Sequence, residues 1–308
     1  MRSISTPSCV GLAVLSLAFG GCYDPPSKPE PLPPVMPVTQ RVVPDPRDYL
    51  VNEFPPTGHA MGKHGPLYNA YYDCLSQLPV IDFQDGNGLT CNISQAFTVS
   101  GFGSVMLERP EPMISNTNGD LYSLSEPSLI LKVVKVRQPF EAGLLCMEKS
   151  VTRLLNGLNN QVIRTYPITS GLDPMCEAAS YVMDRGVGSV DRLAFSSEEI
   201  ALILGQSLRI LRNLHALGVY HRDPHFGNFV LLDRADVVGS LRLIDFGLAR
   251  PIRDPDNIGF DFRMLANEAG RLFRGEELAR DFSASVVNDT SITNIDRWIR
   301  ALLPNPHV

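Results

Sequence analysis

Several features that would define other protein classes are missing from this 308-residue chain. Basic residues are not in excess: 27 Lys and Arg stand against 33 Asp and Glu, and a net charge of −6 argues against a general nucleic-acid-binding protein. No Cys-x-x-Cys spacing indicates a zinc site, and no internal repeat is present. The apolar run from residue 10 to 19 is too short to span a bilayer as a mature helix. With 44% apolar residues, the composition is that of a globular protein with a sizeable core.

The N-terminus has the pattern of a bacterial export signal. Arg2 precedes the apolar run, which fits the hydrophobic region of a signal peptide. The small residues Gly20 and Gly21 stand directly before Cys22, as in the lipobox whose cysteine becomes the lipidated first residue. We therefore predict a signal peptide with a lipobox over residues 1–22.

Prolines dominate the segment that follows, with nine between residues 24 and 46. Such a segment stays extended and cannot build a packed core, so residues 23–65 are predicted to be a tether. The expected product is an exported bacterial membrane lipoprotein that is held to the membrane by a lipid anchor on Cys22. The alternative is a cytoplasmic protein whose translation starts at Met36 or Met61.

Four cysteines remain once Cys9 and Cys22 are assigned to the signal and the anchor. An even number permits disulfides outside the cytosol, and the pair closest in sequence is the easiest one to form. Buried free thiols are the alternative. The four are Cys74, Cys91, Cys146 and Cys176, and the expected pair is Cys74–Cys91.

From about residue 66 onward the chain is patterned as a β-rich part followed by a mainly helical part. Ser196 and Glu199 form a capping-box pattern ahead of an apolar stripe with helical spacing, and Gly218 is a natural stop. This order predicts an α+β, two-lobed architecture. Strands are expected within 96–107, 129–136, 181–183, 229–232 and 241–244, and helices over 141–158, 261–274, 276–282 and 294–303.

The most informative stretch runs from His221 to Gly247. It holds His221-Arg222-Asp223, then Asn228, then Asp245-Phe246-Gly247. A phosphoryl-transfer site needs one carboxylate to orient the attacking hydroxyl, and an amide and a second carboxylate to hold metal ions. These residue types and their separation therefore predict such a site.

A lysine in the middle of an apolar strand indicates a buried ion pair. Lys132 lies in the run LILKVVKV, where a charge is costly unless it is paired. Glu148, sixteen residues further along in the predicted helix, is the natural partner. Glu141 is nearer the helix start, where a carboxylate is more often a cap.

These motifs, and the order in which they follow one another along roughly residues 95–275, resemble those of the protein-kinase-like superfamily. The resemblance implies a kinase-like domain over 66–308, with an N-lobe of about 66–184 and a C-lobe of about 185–308. It also implies ATP and Mg²⁺ as cofactors. By this resemblance Asp223 is the catalytic base, Lys132 and Glu148 are the ion pair that aims the ammonium at the α- and β-phosphates, and Asn228 and Asp245 are the metal ligands.

The resemblance extends to a nucleotide loop and a hinge. In the favoured register Thr98, Ser100 and Gly103 occupy the three glycine positions of the loop, and Gly101 lies within it. Val105 is then implied to pack against one face of the adenine ring of ATP. Further implied nucleotide contacts come from the hinge, through Met183 and Asp184.

The chain departs from the eukaryotic protein-kinase pattern in its catalytic loop. Pro224-His225-Phe226-Gly227 is closer to ABC1-like kinases and to aminoglycoside- and choline-kinase-like phosphotransferases, and the usual loop lysine is missing. Residues 248–282 contain no Ser, Thr or Tyr, so phosphorylation cannot gate that segment. Asp261 is expected to anchor the catalytic-loop backbone instead.

The resemblance implies a Mg²⁺- and ATP-dependent kinase that phosphorylates a hydroxyl acceptor, either Ser or Thr of a protein or a small molecule. The alternative is a membrane-tethered pseudokinase that serves as a binding or scaffold module. The expected partners are ATP, the acceptor and the membrane, and no nucleic acid.

Overall fold

The computed structural model describes residues 66–78, 91, 93–115, 119–156, 161–252 and 258–303. The predicted signal peptide, lipobox and tether (1–65) lie outside the described residues. Within the described ranges, no helix combines the length and the apolar character needed to cross a bilayer.

The N-terminal part is β-rich, as the sequence predicted. Its elements are α1 (Pro66–Gln77), β1 (Ala96–Val99), β2 (Gly103–Met106), β3 (Ile114–Ser115), β4 (Gly119–Ser123), β5 (Leu129–Val134), α2 (Pro139–Leu155), β6 (Thr165–Tyr166), β7 (Ile168–Ser170), α3 (Pro174–Ala179) and β8 (Ser180–Asp184).

The C-terminal part is mainly helical. Its elements are β9 (Gly188–Ser189), α4 (Ser197–Ala216), β10 (Val219–Tyr220), β11 (Phe229–Leu231), α5 (Val237–Ser240), β12 (Leu241–Leu243), β13 (Arg250–Pro251), α6 (Ile258–Leu272), α7 (Glu277–Asn288) and α8 (Ile292–Leu302). The described residues of this part also form 3-10 turns at Val190–Arg192 and Phe226–Asn228. The α+β, two-lobed pattern expected from the sequence is confirmed.

Two antiparallel sheets form the N-terminal part, with strand orders β3-β4-β5-β8-β6 and β2-β1-β7. Two connections join these sheets. Strand β6 of the first sheet continues through Pro167 into β7 of the second, and Leu107 after β2 forms a β-bridge with Leu124 after β4. Side chains from both sheets, including Phe97, Val105 and Val182, pack into one apolar cluster between them, here called the enclosed core.

Alternation along β5 separates two environments. Leu129, Leu131 and Val133 point into the enclosed core, whereas Ile130 and Val134 pack on the side of α2. Since successive strand residues point to opposite faces, Lys132 shares the face of Ile130 and Val134. The period-2 pattern thus directs the lysine toward α2 and away from the enclosed core.

Helix α4 runs through the centre of the C-terminal part. Its capping box is present as predicted, since Ser196 Oγ accepts from the Glu199 amide and the Glu199 carboxylate accepts from the Ser196 amide. The buried stripe of α4 packs against α6, α8 and the β11–β12 hairpin in one large apolar cluster. This hairpin carries the predicted metal ligands at its ends, since Asn228 precedes β11 and Asp245 follows β12.

The expected disulfide Cys74–Cys91 is wrong, because proximity in sequence did not predict which elements pack together. Helix α1 lies along α2, which brings the Cα atoms of Cys74 and Cys146 to 5.5 Å in a disulfide. Cys91 is instead bonded to Cys176 in α3, with the two Cα atoms 4.9 Å apart. The first bond fastens α1 to the helix that carries Glu148.

Candidate active site

Lys132 and Glu148 form a buried ion pair between β5 and α2. The Nζ–Oε1 distance is 2.7 Å, and Glu148 is only 4% exposed. Tyr181 lies directly opposite Lys132 on the neighbouring strand β8, so both side chains share one face. Its hydroxyl donates to the same Oε1 atom, so the carboxylate is held from two sides.

The electrostatics of this pair are set by burial and by Asp245. Burial favours the neutral amine, but the carboxylates of Glu148 and Asp245 outweigh it and raise the pKa of Lys132. Burial also raises the pKa of Glu148, with Asp245 adding to the rise and Lys132 opposing it. The 2.7 Å contact and the raised lysine pKa favour a charged pair at neutral pH.

The Asp261 carboxylate in α6 anchors the backbone at His221 and Arg222, which confirms the anchoring expected from the sequence. It is fully buried and accepts from the His221 amide at 2.7 Å, the Arg222 amide at 2.8 Å and His215 Nε2 at 2.8 Å. These bonds hold Arg222 at φ 71°, a left-handed conformation that is costly for a residue with a side chain. The Arg222 guanidinium lies 5.9 Å from the ring centroid of Tyr220.

His221 connects the two acidic motifs. Its Nδ1 accepts from the Asp223 amide at 3.2 Å, and its Nε2 donates to the Ile244 carbonyl at 3.0 Å. Burial lowers the pKa of His221 although nearby carboxylates, among them those of Asp223 and Asp245, oppose this. The neutral ring, which also packs edge-on against Phe246, therefore fastens the loop of Asp223 to the segment that leads into Asp245.

Asn228 and Asp245 provide oxygen donors of the kind that Mg²⁺ prefers. Asn228 Nδ2 donates to the Asp223 carbonyl at 2.9 Å and lies 3.4 Å from its Oδ2, so the amide oxygen Oδ1 is the atom suited to a cation. Asp245 has a left-handed φ of 63° and lies near Lys132. In the described part of the chain no group of three His, Cys, Asp or Glu side chains converges as a metal site. Mg²⁺ is commonly held by one or two protein oxygens together with phosphates and water, so this donor set fits it.

The structure places the expected nucleotide loop apart from Lys132. Thr98 lies in β1, Ser100 and Gly101 form the β1–β2 turn, and Gly103 begins β2. Gly101 and Gly103 have φ values of 84° and 76°, which glycine adopts without strain. Val105 is 2% exposed and packs in the enclosed core.

The tip of this hairpin contacts β6 and Pro167. The Phe102 ring meets Tyr166 edge-on at 4.9 Å, and the Ser100 amide donates to the Pro167 carbonyl at 2.9 Å. Tyr166 pairs with Val182, which faces the enclosed core, whereas Lys132 pairs with Tyr181 on the other face of the sheet. The hairpin tip therefore packs on the sheet face opposite to Lys132.

Met183 and Asp184, the residues expected to form the hinge, lie at the end of β8. Met183 is 8% exposed and packs on the same side of the sheet as Ile130, which places it on the Lys132 face. Asp184 accepts from the Tyr166 hydroxyl at 2.7 Å. A cavity of about 720 Å³ adjoins the hinge, but Lys132, Asp223, Asn228 and Asp245 are not among its lining residues. Its lining comprises Pro127, Ser128, Arg164, Asp184, Arg185, Gly186, Val187, Leu232 and Arg242.

Tyr181 is the site residue that sequence reasoning missed. Burial raises its pKa well above the usual value, so the phenol stays protonated and donates to Glu148. A signal was present: Tyr181 lies two residues before Met183, and period-2 alternation puts both on one face.

Comparison with known proteins yields a fold and a set of kinase relatives. No family model matches the chain. It is 29% identical over 184 residues to extracellular signal-regulated kinase 1 of Candida albicans, covering 57% of this chain and 41% of that protein. It is 25% identical over 157 residues to mitogen-activated protein kinase p38a of Drosophila melanogaster, covering 47% of this chain and 40% of that protein. The chain thus spans about two fifths of the length of these relatives.

A solved structure agrees with the sequence relatives. The crystal structure of the BubR1 kinase domain superposes with a TM-score of 0.50 at 14% identity, covering 70% of this chain and 85% of that one. At this identity the likeness concerns the fold alone. The chain is thus similar in sequence to mitogen-activated protein kinases and has the fold of the protein-kinase-like superfamily.

Proposed function

We propose that this chain is a Mg²⁺- and ATP-dependent kinase that transfers the γ-phosphoryl group to a hydroxyl acceptor. The observation that carries the proposal is the arrangement of polar side chains from separate elements. Lys132 is paired with Glu148 beside Asp245, and His221 joins Asp245 to the loop of Asp223 and Asn228.

Each side chain has a chemical task in this proposal. The Asp223 carboxylate orients the acceptor hydroxyl and takes its proton as the new O–P bond forms and the bond to the ADP oxygen breaks. Lys132 directs its ammonium at the α- and β-phosphates, and Glu148 keeps it in place. Asn228 and Asp245 would hold Mg²⁺, which neutralises phosphate charge when it is bound.

Binding and transfer are tested separately. Mg²⁺–ATP should raise the melting temperature of the wild type and not that of Asp245→Ala. Transfer of ³²P from labelled ATP, or phosphate release with water as acceptor, should be lost in Asp223→Ala while binding is kept. Asp281→Ala, an exposed carboxylate on α7, is the matched control and should behave as the wild type. Full transfer by Asp223→Ala would reject that residue as the base.

A second candidate function is a binding or scaffold module without phosphoryl transfer. It is favoured by the position of Thr98 and Ser100, whose hairpin packs against Tyr166 on the sheet face opposite to Lys132. A thermal shift with Mg²⁺–ATP and no phosphate transfer by the wild type would support this module over the kinase.

The acceptor is proposed to carry a hydroxyl, on Ser or Thr or on a small molecule. The Drosophila relative named above is called a protein kinase, which favours a protein acceptor. The Pro224–Gly227 loop, without the usual lysine, favours a small molecule. Incubation of the wild type with labelled ATP and either a Ser/Thr peptide library or aminoglycoside and choline acceptors distinguishes the two.

We further propose that the protein is exported and anchored to the membrane through a lipid on Cys22. The alternative is a cytoplasmic protein whose translation starts at Met36 or Met61. The two disulfides favour export, because disulfides persist in oxidising compartments and both lie beyond Met61. N-terminal mass spectrometry of the native protein decides, since a diacylglyceryl-cysteine start is specific to the lipoprotein.

A further inference from the structure

His225 occupies a defined place beside Asp223. It is the N-cap of the 3-10 turn Phe226–Asn228, and its Nδ1 accepts from the Gly227 amide at 3.1 Å. A ring nitrogen that accepts carries no proton, so the proton of the neutral imidazole is on Nε2. The backbone thus selects one tautomer of His225.

Gly227 makes room for this ring. A Cβ atom at position 227 would lie 2.7 Å from His225 Cε1 and 2.9 Å from its Nδ1, which is closer than real Cβ atoms approach other atoms. Any side chain at this position would therefore displace the imidazole. The His-x-Gly spacing of the loop is explained by this close packing.

The protonated ring nitrogen faces the carboxylate of Asp223. His225 Nε2 lies 3.6 Å from Asp223 Oδ2, and Asn228 Nδ2 lies 3.4 Å from the same oxygen. The side chains of His225 and Asp223 are 41% and 31% exposed, so both remain accessible to a substrate. The Asn228 amide is within hydrogen-bond distance of Oδ2 and the imidazole N–H lies just beyond it, so both groups flank Oδ2 and leave Oδ1 as the oxygen available to an acceptor.

We propose that His225 is a positioning residue for Asp223. Its Nε2–H attracts Oδ2 across 3.6 Å, and this contact shortens to a hydrogen bond when the acceptor is bound, so that Oδ1 faces the hydroxyl of the acceptor. The imidazole makes and breaks no bond and keeps its proton throughout the transfer. This inference rests on the proposed kinase function. It gives His225 a role in the part of the loop where the lysine usual in protein kinases is missing.

Two variants test separately the two roles of His225, in which Nδ1 accepts from the Gly227 amide and Nε2–H points to Asp223. His225→Asn keeps an acceptor for the Gly227 amide, as asparagine commonly does two residues before an amide, but it lacks a group in place of Nε2. His225→Gln extends an N–H toward Asp223 and gives up the cap. The assay is phosphate release from Mg²⁺–ATP, with nucleotide binding followed by thermal shift.

The expected result is a fall in kcat of about 10- to 100-fold for His225→Asn, the range for a hydrogen bond to a charged group. The KM for ATP should stay unchanged, because the contact does not involve the nucleotide. His225→Gln should recover part of kcat despite losing the cap. Gly227→Ala should lower kcat when His225 is present and cause no further loss in a His225→Ala background.

Contrary outcomes are distinguishable. If the wild type is active and His225→Asn is equally active, the histidine is only a structural cap and the inference is overturned. If the wild type binds Mg²⁺–ATP but neither releases phosphate nor transfers it to any of the acceptors named above, the proposed kinase function fails, and the role of His225 fails with it.

Discussion

The buried pair of Lys132 and Glu148 allows a prediction in which stability and nucleotide binding respond differently. Removing one partner leaves the other charge buried, which generally costs about 3–5 kcal/mol. For Lys132→Met or Glu148→Leu we expect about 3 kcal/mol, the lower end of that range. The reason is that Tyr181 still donates to the glutamate, and Asp245 still attracts the lysine.

The double variant Lys132→Met/Glu148→Leu should recover most of this loss. Both charges are then replaced by apolar side chains of similar volume, and such replacements are often neutral. Urea unfolding should place it within about 1 kcal/mol of the wild type. Nucleotide binding should not recover, so Mg²⁺–ATP should leave the melting temperature of the double variant unchanged.

Two results would refute this reasoning. If the double variant lost the sum of the two single losses, the side chains would not act as a coupled buried pair. If it bound Mg²⁺–ATP as the wild type does, the lysine would have no part in the nucleotide site. The surface pair of Arg271 and Glu268, in which the Arg271 side chain is 72% exposed, provides the control, because Arg271→Met should leave stability nearly unchanged.

Three further predictions follow from contacts around α2. Tyr181→Phe removes the hydroxyl that donates to Glu148 and should weaken Mg²⁺–ATP binding by about 1 kcal/mol, whereas an unchanged Kd would contradict its role. Burial lowers the pKa of Lys149 from 10.5 to about 8, so between these pH values the unfolded chain binds more protons than the folded one. The free energy of unfolding should therefore rise by up to about 3 kcal/mol from pH 8 to 10.5, and urea titrations of Lys149→Met should lack that rise. Replacing Cys74 and Cys146 by Ala opens a cross-link between residues 72 apart and should cost about 4 kcal/mol in urea unfolding, while equal stability would contradict it.

The sequence predicted the polar contacts of Lys132 and Asp261 better than it predicted the covalent links. Lys132 in an apolar strand required a buried partner, and helical spacing offered Glu148, so the 2.7 Å contact was foreseeable. Asp261 was likewise identified as the anchor of the catalytic loop. The partner of Cys74 was not foreseeable, because it depends on how α1 packs along α2.

The β1–β2 hairpin shows a different limit. Its strands and glycine turn were predicted correctly, since they follow from local β-forming and turn residues. The face on which it packs was not predictable, because that depends on long-range pairing. Val99 pairs with Ile168 in β7, about seventy residues away, and this pairing brings the hairpin tip to Tyr166.

The amino-acid sequence by itself determined the order of a β-rich part before a mainly helical part, the alternation that turns Lys132 toward α2, and the presence of the residue types that a phosphoryl-transfer site needs. These follow from short-range rules, namely period, capping and the cost of an unpaired charge. The tertiary structure alone decided which cysteines bond, that Tyr181 supports Glu148, and that Gly227 leaves room for the ring of His225. Such contacts arise from packing between distant segments, and no local pattern encodes a distance between two side chains.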